Sequence, residues 1–144
     1  MASFWEIVPV DGHDMDVYVS VPSAQAQGPF PAVIVSQHGG GVDKFIQEMS
    51  DRLADAGYAA VAPNLFHRYT SEMLADRSRR VQHLSDLEIV GDMNATVGFL
   101  QSHPTVNQDR IGVTGFCMGG RVAWLAAASI PHLKAMAPYY GGNI

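Results

Sequence analysis

Cysteine is almost absent from this sequence, which has 144 residues and a single thiol at Cys117. One cysteine excludes an intramolecular disulfide framework and a cysteine-rich zinc site. Basic residues are also few: nine lysines and arginines stand against fourteen aspartates and glutamates, a net charge of -5. Nucleic acids and anionic membranes both attract basic surfaces, so we expect neither as a partner. No motif implies a metal or another cofactor, and none is expected.

Long apolar runs and targeting signals are lacking as well. The longest apolar run, Val122 to Ala128, is far shorter than the ~20 residues of a membrane-spanning helix. The N-terminal stretch MASFWEIVPVDGHD has no positive segment and no sustained apolar segment, so no secretory signal is visible. The sequence therefore predicts a cytoplasmic protein. Its length suits one domain, and its composition of 47% hydrophobic and 16% charged residues suits a globular one.

Two alternating segments at the N-terminus predict an antiparallel β-hairpin. They are separated by Asp11-Gly12, a dipeptide that is typical of tight hairpin turns. In the second segment Met15 and Val17 share one face, while Asp16 and Tyr18 share the other. A period of two predicts that the first face is buried and the second exposed.

After the hairpin, apolar runs alternate with helical patterns. The run AVIVSQ is short and continuously apolar, as in a strand covered on both faces, and YAAVAP is predicted as a second buried strand. IGVTG and LKAMAPYY are predicted as two further strands. Asp43 and Ser85 can cap two intervening helices, and a helix rich in small residues begins near Gly119. An irregular segment from Asn64 to about Leu84 and a turn at Asn107–Arg110 complete the pattern. This order predicts an α/β fold with a mostly parallel, doubly wound sheet.

The segment TGFCMGG contains a candidate nucleophile. Gly115 and Gly119 lie two residues before and two residues after Cys117, the spacing of a nucleophile elbow between a strand and a helix. The N-terminus of the following helix favours a thiolate through its dipole and its unpaired N–H groups. A small buried thiol in a glycine-rich bend is the alternative, since free cysteines are often buried.

A second glycine-rich segment, Gln37-His38-Gly39-Gly40-Gly41, directly follows the AVIVS run. A loop leaving that strand can direct a backbone N–H at an oxyanion, and Gly39 is our candidate donor. The residue after an elbow nucleophile supplies the other donor, which here is the N–H of Met118. The alternative is a flexible turn with no role in binding.

These segments carry a family resemblance. GFCMGG, HGGGVDKFIQEMSDRLADAGYAAVAPNLFHR and NQDRIGVTGFCMGGRVAWLAA resemble the dienelactone hydrolase family, from about Val8 to Gly142. The resemblance implies an α/β-hydrolase fold and a Cys-Asp-His triad that opens lactones or related esters through an acyl-enzyme. Cys117 matches the family's cysteine, whereas its aspartate and histidine match nothing here. The final PYYGGNI is similar to the strand just before that aspartate, so residues 1–144 are expected to form a single, incomplete domain truncated after this strand.

The family pattern also suggests residues that contact substrate. His38 stands where the best-known members have a glutamate that engages the cysteine, and it is a candidate contact with substrate or thiol. Arg79 and Arg80 are candidates for the family's carboxylate-binding arginine, because a guanidinium suits a bidentate carboxylate contact. A solvated surface position is the alternative for both. Arg68, beside His67, is a further possibility or a structural residue.

Two functions are therefore open. The first is a cysteine hydrolase acting on a lactone or ester. The second is a non-catalytic module whose C-terminal strand leaves an unpaired sheet edge, which could pair with a second copy or with a complementing chain. A nucleotide-binding protein is disfavoured, because no G-x-G-x-x-G follows the first parallel strand and no G-K-[S/T] occurs.

Overall fold

A computed structural model describes residues 1–144. The elements in chain order are β1 (Ala2–Val10), β2 (His13–Val21), β3 (Phe30–Ser36), α1 (Lys44–Asp55), β4 (Ala59–Pro63), α2 (Asp86–Ser102), β5 (Val106–Phe116), α3 (Met118–Ser129) and β6 (Ala135–Tyr139). A short 3₁₀-helix, Arg80–His83, precedes α2. The strands form one sheet in the order β1-β2-β4-β3-β5-β6. The first two strands are antiparallel to their neighbours and the other four are mutually parallel, which confirms the predicted topology.

The N-terminal hairpin forms as predicted, but its second face is exposed at Asp16 and not beyond it. Asp11 and Gly12 adopt positive φ values of 50° and 75°, which suits a tight turn between antiparallel strands. On the other face of β2, Tyr18 and Ser20 are buried rather than exposed. Helix α1 covers them, and its Asp51 accepts hydrogen bonds from both hydroxyls. The prediction of an exposed face was wrong at Tyr18 and Ser20, because polar residues can face a helix that supplies a hydrogen-bond acceptor.

Both predicted helix caps are present. The Asp43 carboxylate accepts a hydrogen bond from the Ile46 N–H at 3.3 Å, and the Ser85 hydroxyl accepts one from the Glu88 N–H at 3.3 Å. Each cap satisfies a backbone donor that the first helical turn leaves unpaired. These two residues therefore set the starts of α1 and α2, and α1 starts close to the glycine-rich loop.

The turn predicted at Asn107–Arg110 lies inside β5. Pairing with β3 moves from Phe30 opposite Val106 to Ala32 opposite Ile111, so β5 advances five residues while β3 advances two. The extra residues are accommodated in an irregularity of the strand and Gln108–Arg110 are exposed. Turn-forming residues thus interrupt the ladder without ending the strand.

The sheet is covered on both faces by helices. The larger core packs α2 and α3 against one face and includes Met93, Val97 and Val122. On the other face Ile46 of α1 packs in a smaller cluster with Tyr18. The chain has no helix long and apolar enough to cross a bilayer. Because β3 and β5 are parallel neighbours, the loops that leave their carboxyl ends meet at one edge of the sheet.

Candidate active site

Cys117 lies at a sharp corner between β5 and α3. Its φ of 56° and ψ of -122° fall in a region that residues with a β-carbon rarely adopt. The backbone N–H donates to the Tyr139 carbonyl at 3.1 Å, and the side chain is exposed. This exposure argues against the alternative of a buried thiol and leaves the sulfur accessible to a substrate.

Direct backbone contact explains the glycine spacing around Cys117. A β-carbon at Gly115 would lie 2.0 Å from the Gly119 carbonyl oxygen. A β-carbon at Gly119 would lie 2.3 Å from the Ser36 carbonyl oxygen and 2.5 Å from that of Gln37. Any larger residue at either position would therefore displace the corner or the end of β3.

The two proposed oxyanion donors are backbone N–H groups at this edge. Met118 is the first residue of α3, a position whose N–H has no acceptor within its helix. The N–H of Gly39 donates no hydrogen bond within the chain. Ser36 pairs with Gly115 at the ends of β3 and β5, which brings the two loops side by side. The role of both N–H groups in binding an oxyanion stays a prediction.

His38 is held by a carboxylate that the sequence suggested only as a helix cap. Its Nε2 lies 2.8 Å from Oδ2 of Asp43, and the two side chains are 30% and 42% exposed. The ring centroid lies 5.6 Å from that of Phe45, which in turn lies 5.3 Å from Phe116. Asp43 follows His38 by five residues, so the glycine-rich turn between them had to be known before the pair could be inferred. A contact between His38 and substrate stays a prediction.

The two candidate substrate arginines both contact their own segment. Arg79 is 73% exposed, with Nε 3.6 Å from Oδ2 of Asp76. The Nε of Arg80 donates to the Leu74 carbonyl at 2.5 Å. Neither contact tests substrate binding, so the role assigned to the two arginines also stays a prediction.

Arg121 is an arginine near the elbow that the sequence analysis did not single out. It lies one helical turn after Cys117 and makes a bidentate ion pair with Asp86, at 2.7 and 3.0 Å. The hydrogen bond from Arg121 lowers the pKa of Asp86 and raises that of Arg121. Arg121, Asp86 and Met118 line a cavity of about 270 Å³. The four-residue spacing from Cys117, the N-cap of α3, was the available signal, since residues about one turn apart lie on the same side of a helix.

A buried polar cluster anchors the loop after β4. Asp92, which is 1% exposed, lies 3.0 Å from Nε2 of His67 and 2.8 Å from a guanidinium nitrogen of Arg68. Arg68 also pairs with Asp11 at 2.8 Å. Burial alone lowers the pKa of Arg68, but hydrogen bonds and the charge of Asp92 outweigh it and raise that pKa overall. These contacts favour the structural interpretation of Arg68.

No acidic residue follows Cys117 in the sequence, and His132 is the only histidine after it. Its Nε2 lies 2.5 Å from the Gln108 carbonyl oxygen, before the start of β6. Because β5 and β6 are parallel, His132 lies at the edge opposite Cys117.

The corner, the glycine-rich loop and the sheet order define an α/β-hydrolase fold. Residues 15–144 match the model of the "Dienelactone hydrolase family", and the chain belongs to that family. The resemblance read from the sequence is thereby confirmed.

Individual relatives support the same assignment. A carboxymethylenebutenolidase of Pseudomonas putida is 31% identical, over 91% of this chain and 57% of its own length. A "Putative carboxymethylenebutenolidase" of Yersinia pestis is 36% identical, over 93% of this chain and 51% of its own length. A solved "Putative Dienelactone Hydrolase" from Klebsiella pneumoniae has a TM-score of 0.86 and 32% identity, over 99% of this chain and 61% of its own. The chain thus spans about half to three-fifths of the relatives that it matches.

Proposed function

We propose that this chain carries the nucleophilic half of a cysteine-dependent hydrolase for a lactone or carboxylic ester. The strained conformation of Cys117, with its exposed thiol, is the observation that carries the proposal. Strain at a single non-glycine residue costs about 1–3 kcal/mol and persists where the surrounding structure enforces it. Two carbonyl oxygens at the end of β3 and the tight glycine contacts supply that enforcement here. The names of the relatives, carboxymethylenebutenolidases, agree with such a substrate.

The reaction would proceed by acyl transfer. The Cys117 sulfur attacks the carbonyl carbon, and the carbonyl π electrons move to oxygen to form a tetrahedral oxyanion. The N–H groups of Met118 and Gly39 would donate to this oxygen. Collapse of the intermediate breaks the ester C–O bond, releases the alkoxide as an alcohol after protonation, and leaves a thioester on Cys117. Attack by water then releases the carboxylic acid and restores the thiol.

Acylation of the isolated chain tests this proposal. After incubation with p-nitrophenyl acetate, intact-mass analysis is expected to detect one acetyl group on the protein and none on Cys117→Ala. We expect slow turnover from these residues alone, because the sequence after Cys117 offers no carboxylate–histidine pair. Equal acylation of the wild type and Cys117→Ala would overturn the assignment of the nucleophile.

The alternative, a module that pairs with another chain, is favoured by a separate observation. Strand β6 is at the edge of the sheet, and an apolar groove of about 560 Å³ runs beside it. An unpaired strand next to apolar surface favours β-addition by a second copy or by a complementing chain. Light scattering over a range of concentrations tests this: dimers support the alternative, and a monomer throughout argues against pairing between copies. The cytoplasmic location and the single, incomplete domain expected from the sequence stay predictions.

A further inference from the structure

A cavity of about 270 Å³, the α2–α3 cavity, lies where the 3₁₀-helix, the start of α2 and the start of α3 meet. Five of its eight lining residues are apolar, among them Val81, Ile89 and Val122. Arg121 and Asp86 are its only charged lining residues. A small cavity with apolar walls and few polar groups suits an apolar part of a small molecule.

The α2–α3 cavity adjoins both proposed oxyanion donors. Met118, whose N–H is one of them, lines the cavity and directly follows Cys117 in the chain. Val81 lines it as well, and its Cγ2 lies 3.5 Å from the position that a β-carbon on Gly39 would take. A carbonyl oxygen held between the two N–H groups leaves the carbonyl carbon with two substituents, the acyl chain and the leaving group. The cavity is placed to receive one of them.

The order of the chemical steps favours the acyl chain. The leaving alcohol departs once the thioester has formed, whereas the acyl group stays on the Cys117 sulfur until water attacks. A recess between two packed helices suits the group that stays, and its apolar wall stabilises a chain that leaves water. Each methylene group buried in this way is worth about fourfold in a rate or binding constant. The cavity therefore favours a longer aliphatic acyl chain over acetyl.

The charged wall disfavours an acyl group that carries a carboxylate. Both Asp86 oxygens accept hydrogen bonds from the Arg121 guanidinium, at 2.7 and 3.0 Å, and the Arg121 Nε donates to the Asn143 carbonyl at 3.3 Å. The charge of Arg121 is thus already balanced, and a second carboxylate beside it would meet the negative charge of Asp86. Removing a carboxylate from water without an unpaired cation to receive it is costly. The pair therefore discriminates against anions, because specificity can come from a repulsive element as well as from an attractive one.

We propose that the α2–α3 cavity binds the acyl chain of the substrate and that the Arg121–Asp86 pair on its wall selects an uncharged aliphatic chain over an anionic one. This inference rests on the proposed role of Cys117 and names the acyl class of the same site. Arg121 and Asp86 act on specificity and take no part in making or breaking bonds.

Acylation rates with three esters test the effects of chain length and charge. p-Nitrophenyl acetate has the short chain, whereas p-nitrophenyl hexanoate and the mono-p-nitrophenyl ester of adipic acid have equally long chains that end in a methyl group and a carboxylate. Intact-mass analysis follows each acyl group on Cys117, and each rate is divided by that of the same ester with N-acetylcysteine, which removes differences in intrinsic reactivity. We expect the hexanoate to react at least about tenfold faster than the acetate, and the adipate ester at least about tenfold more slowly than the hexanoate.

Two variants locate these preferences in the cavity. Asp86→Asn leaves Arg121 without an ionised partner, so the ratio of the hexanoate rate to the adipate rate is expected to fall about tenfold. Glu88→Gln removes the same charge from the same turn of α2 but lies outside the cavity, and it is expected to keep the wild-type ratio. Val81→Phe puts a larger side chain into the cavity and is expected to lower the ratio of the hexanoate rate to the acetate rate at least about fivefold. Its control, Gln82→Phe, adds the same ring outside the cavity and is expected to keep that ratio.

Each ratio compares two esters on one protein, so a loss of folded protein changes both rates alike. A wild-type hexanoate rate equal to the acetate rate, or ratios that Asp86→Asn and Val81→Phe leave unchanged, would contradict the inference while the proposed function stands. Acylation of Cys117 by none of the three esters would reject the proposed function and the inference with it.

Discussion

At the residue scale, the backbone of Cys117 is strained because of its β-carbon. A φ of 56° brings that carbon close to backbone oxygens, and only glycine avoids the contact. We expect Cys117→Gly to be more stable than Cys117→Ala by about 1 kcal/mol, although both remove the thiol. Urea unfolding of the two variants measures the difference. An alanine variant as stable as the glycine variant would show that the corner is relaxed.

Replacement by alanine is expected to have opposite effects on stability at two glycines that lie in helices. In α3, alanine at Gly119 would place a methyl group 2.3 Å from a backbone oxygen that cannot move independently. In α2, a β-carbon at Gly98 meets nothing within 4 Å. Gly119→Ala is therefore expected to lose about 3 kcal/mol of unfolding free energy or more. Gly98→Ala is expected to gain about 0.5–1 kcal/mol from helix propensity, and the same urea titration measures both.

At the element scale, Tyr69 ties the irregular segment after β4 to α2. Its hydroxyl lies 2.6 Å from the His83 carbonyl oxygen and 2.9 Å from Oε2 of Glu88. Burial, and then the hydrogen bond to Glu88, raises the pKa of Tyr69 to about 12 from an ordinary value of 10.0. The folded state therefore holds this proton more tightly than the unfolded chain does. Its contribution to stability is present below pH ~10 and is lost as pH rises through about 12.

Tyr69→Phe tests this linkage, because phenylalanine has no proton to lose. Between pH ~9 and pH ~12 the wild type is expected to lose more unfolding free energy than Tyr69→Phe does. The matched control is Tyr58→Phe, since Tyr58 is exposed and its hydroxyl makes no hydrogen bond within the chain. Urea midpoints across this range give the slopes. A wild-type slope equal to that of Tyr69→Phe would contradict the assignment.

At the scale of the whole molecule, the two edges of the sheet differ. The edge strand β1 belongs to a long hairpin, whereas β6 has five residues and borders the apolar groove beside α1. Ala137 lines this groove. We expect Ala137→Lys to abolish any concentration-dependent association, because a lysine there would put charge into the contact. Ala128→Lys, on the exposed surface of α3, is the control and should leave association unchanged. Light scattering measures both, and association that survives Ala137→Lys would place the contact elsewhere.

The sequence by itself determined the order of the elements, the corner at Cys117 and the starts of α1 and α2. These features depend on local rules: alternation sets the strand faces, a polar side chain caps a helix, and glycines permit a tight corner. The alternating pattern of β2 also predicted that Tyr18 is exposed, and this prediction was wrong. The alternation along one strand does not encode where a covering helix will lie.

Only the tertiary structure decided which distant side chains meet. Asp92 in α2 lies against Arg68 and His67 on the loop after β4, across 24 and 25 residues of sequence. Asp43 caps α1 and also contacts His38. The second contact forms only because the glycine-rich loop folds back on itself, with His38 opposite Gly41. Such pairs depend on where strands and loops lie in space, whereas the period of a sequence reports only the neighbours along one element. The corner at Cys117 could thus be found from the local sequence, whereas the pairing of His38 with Asp43 could be found only from the fold.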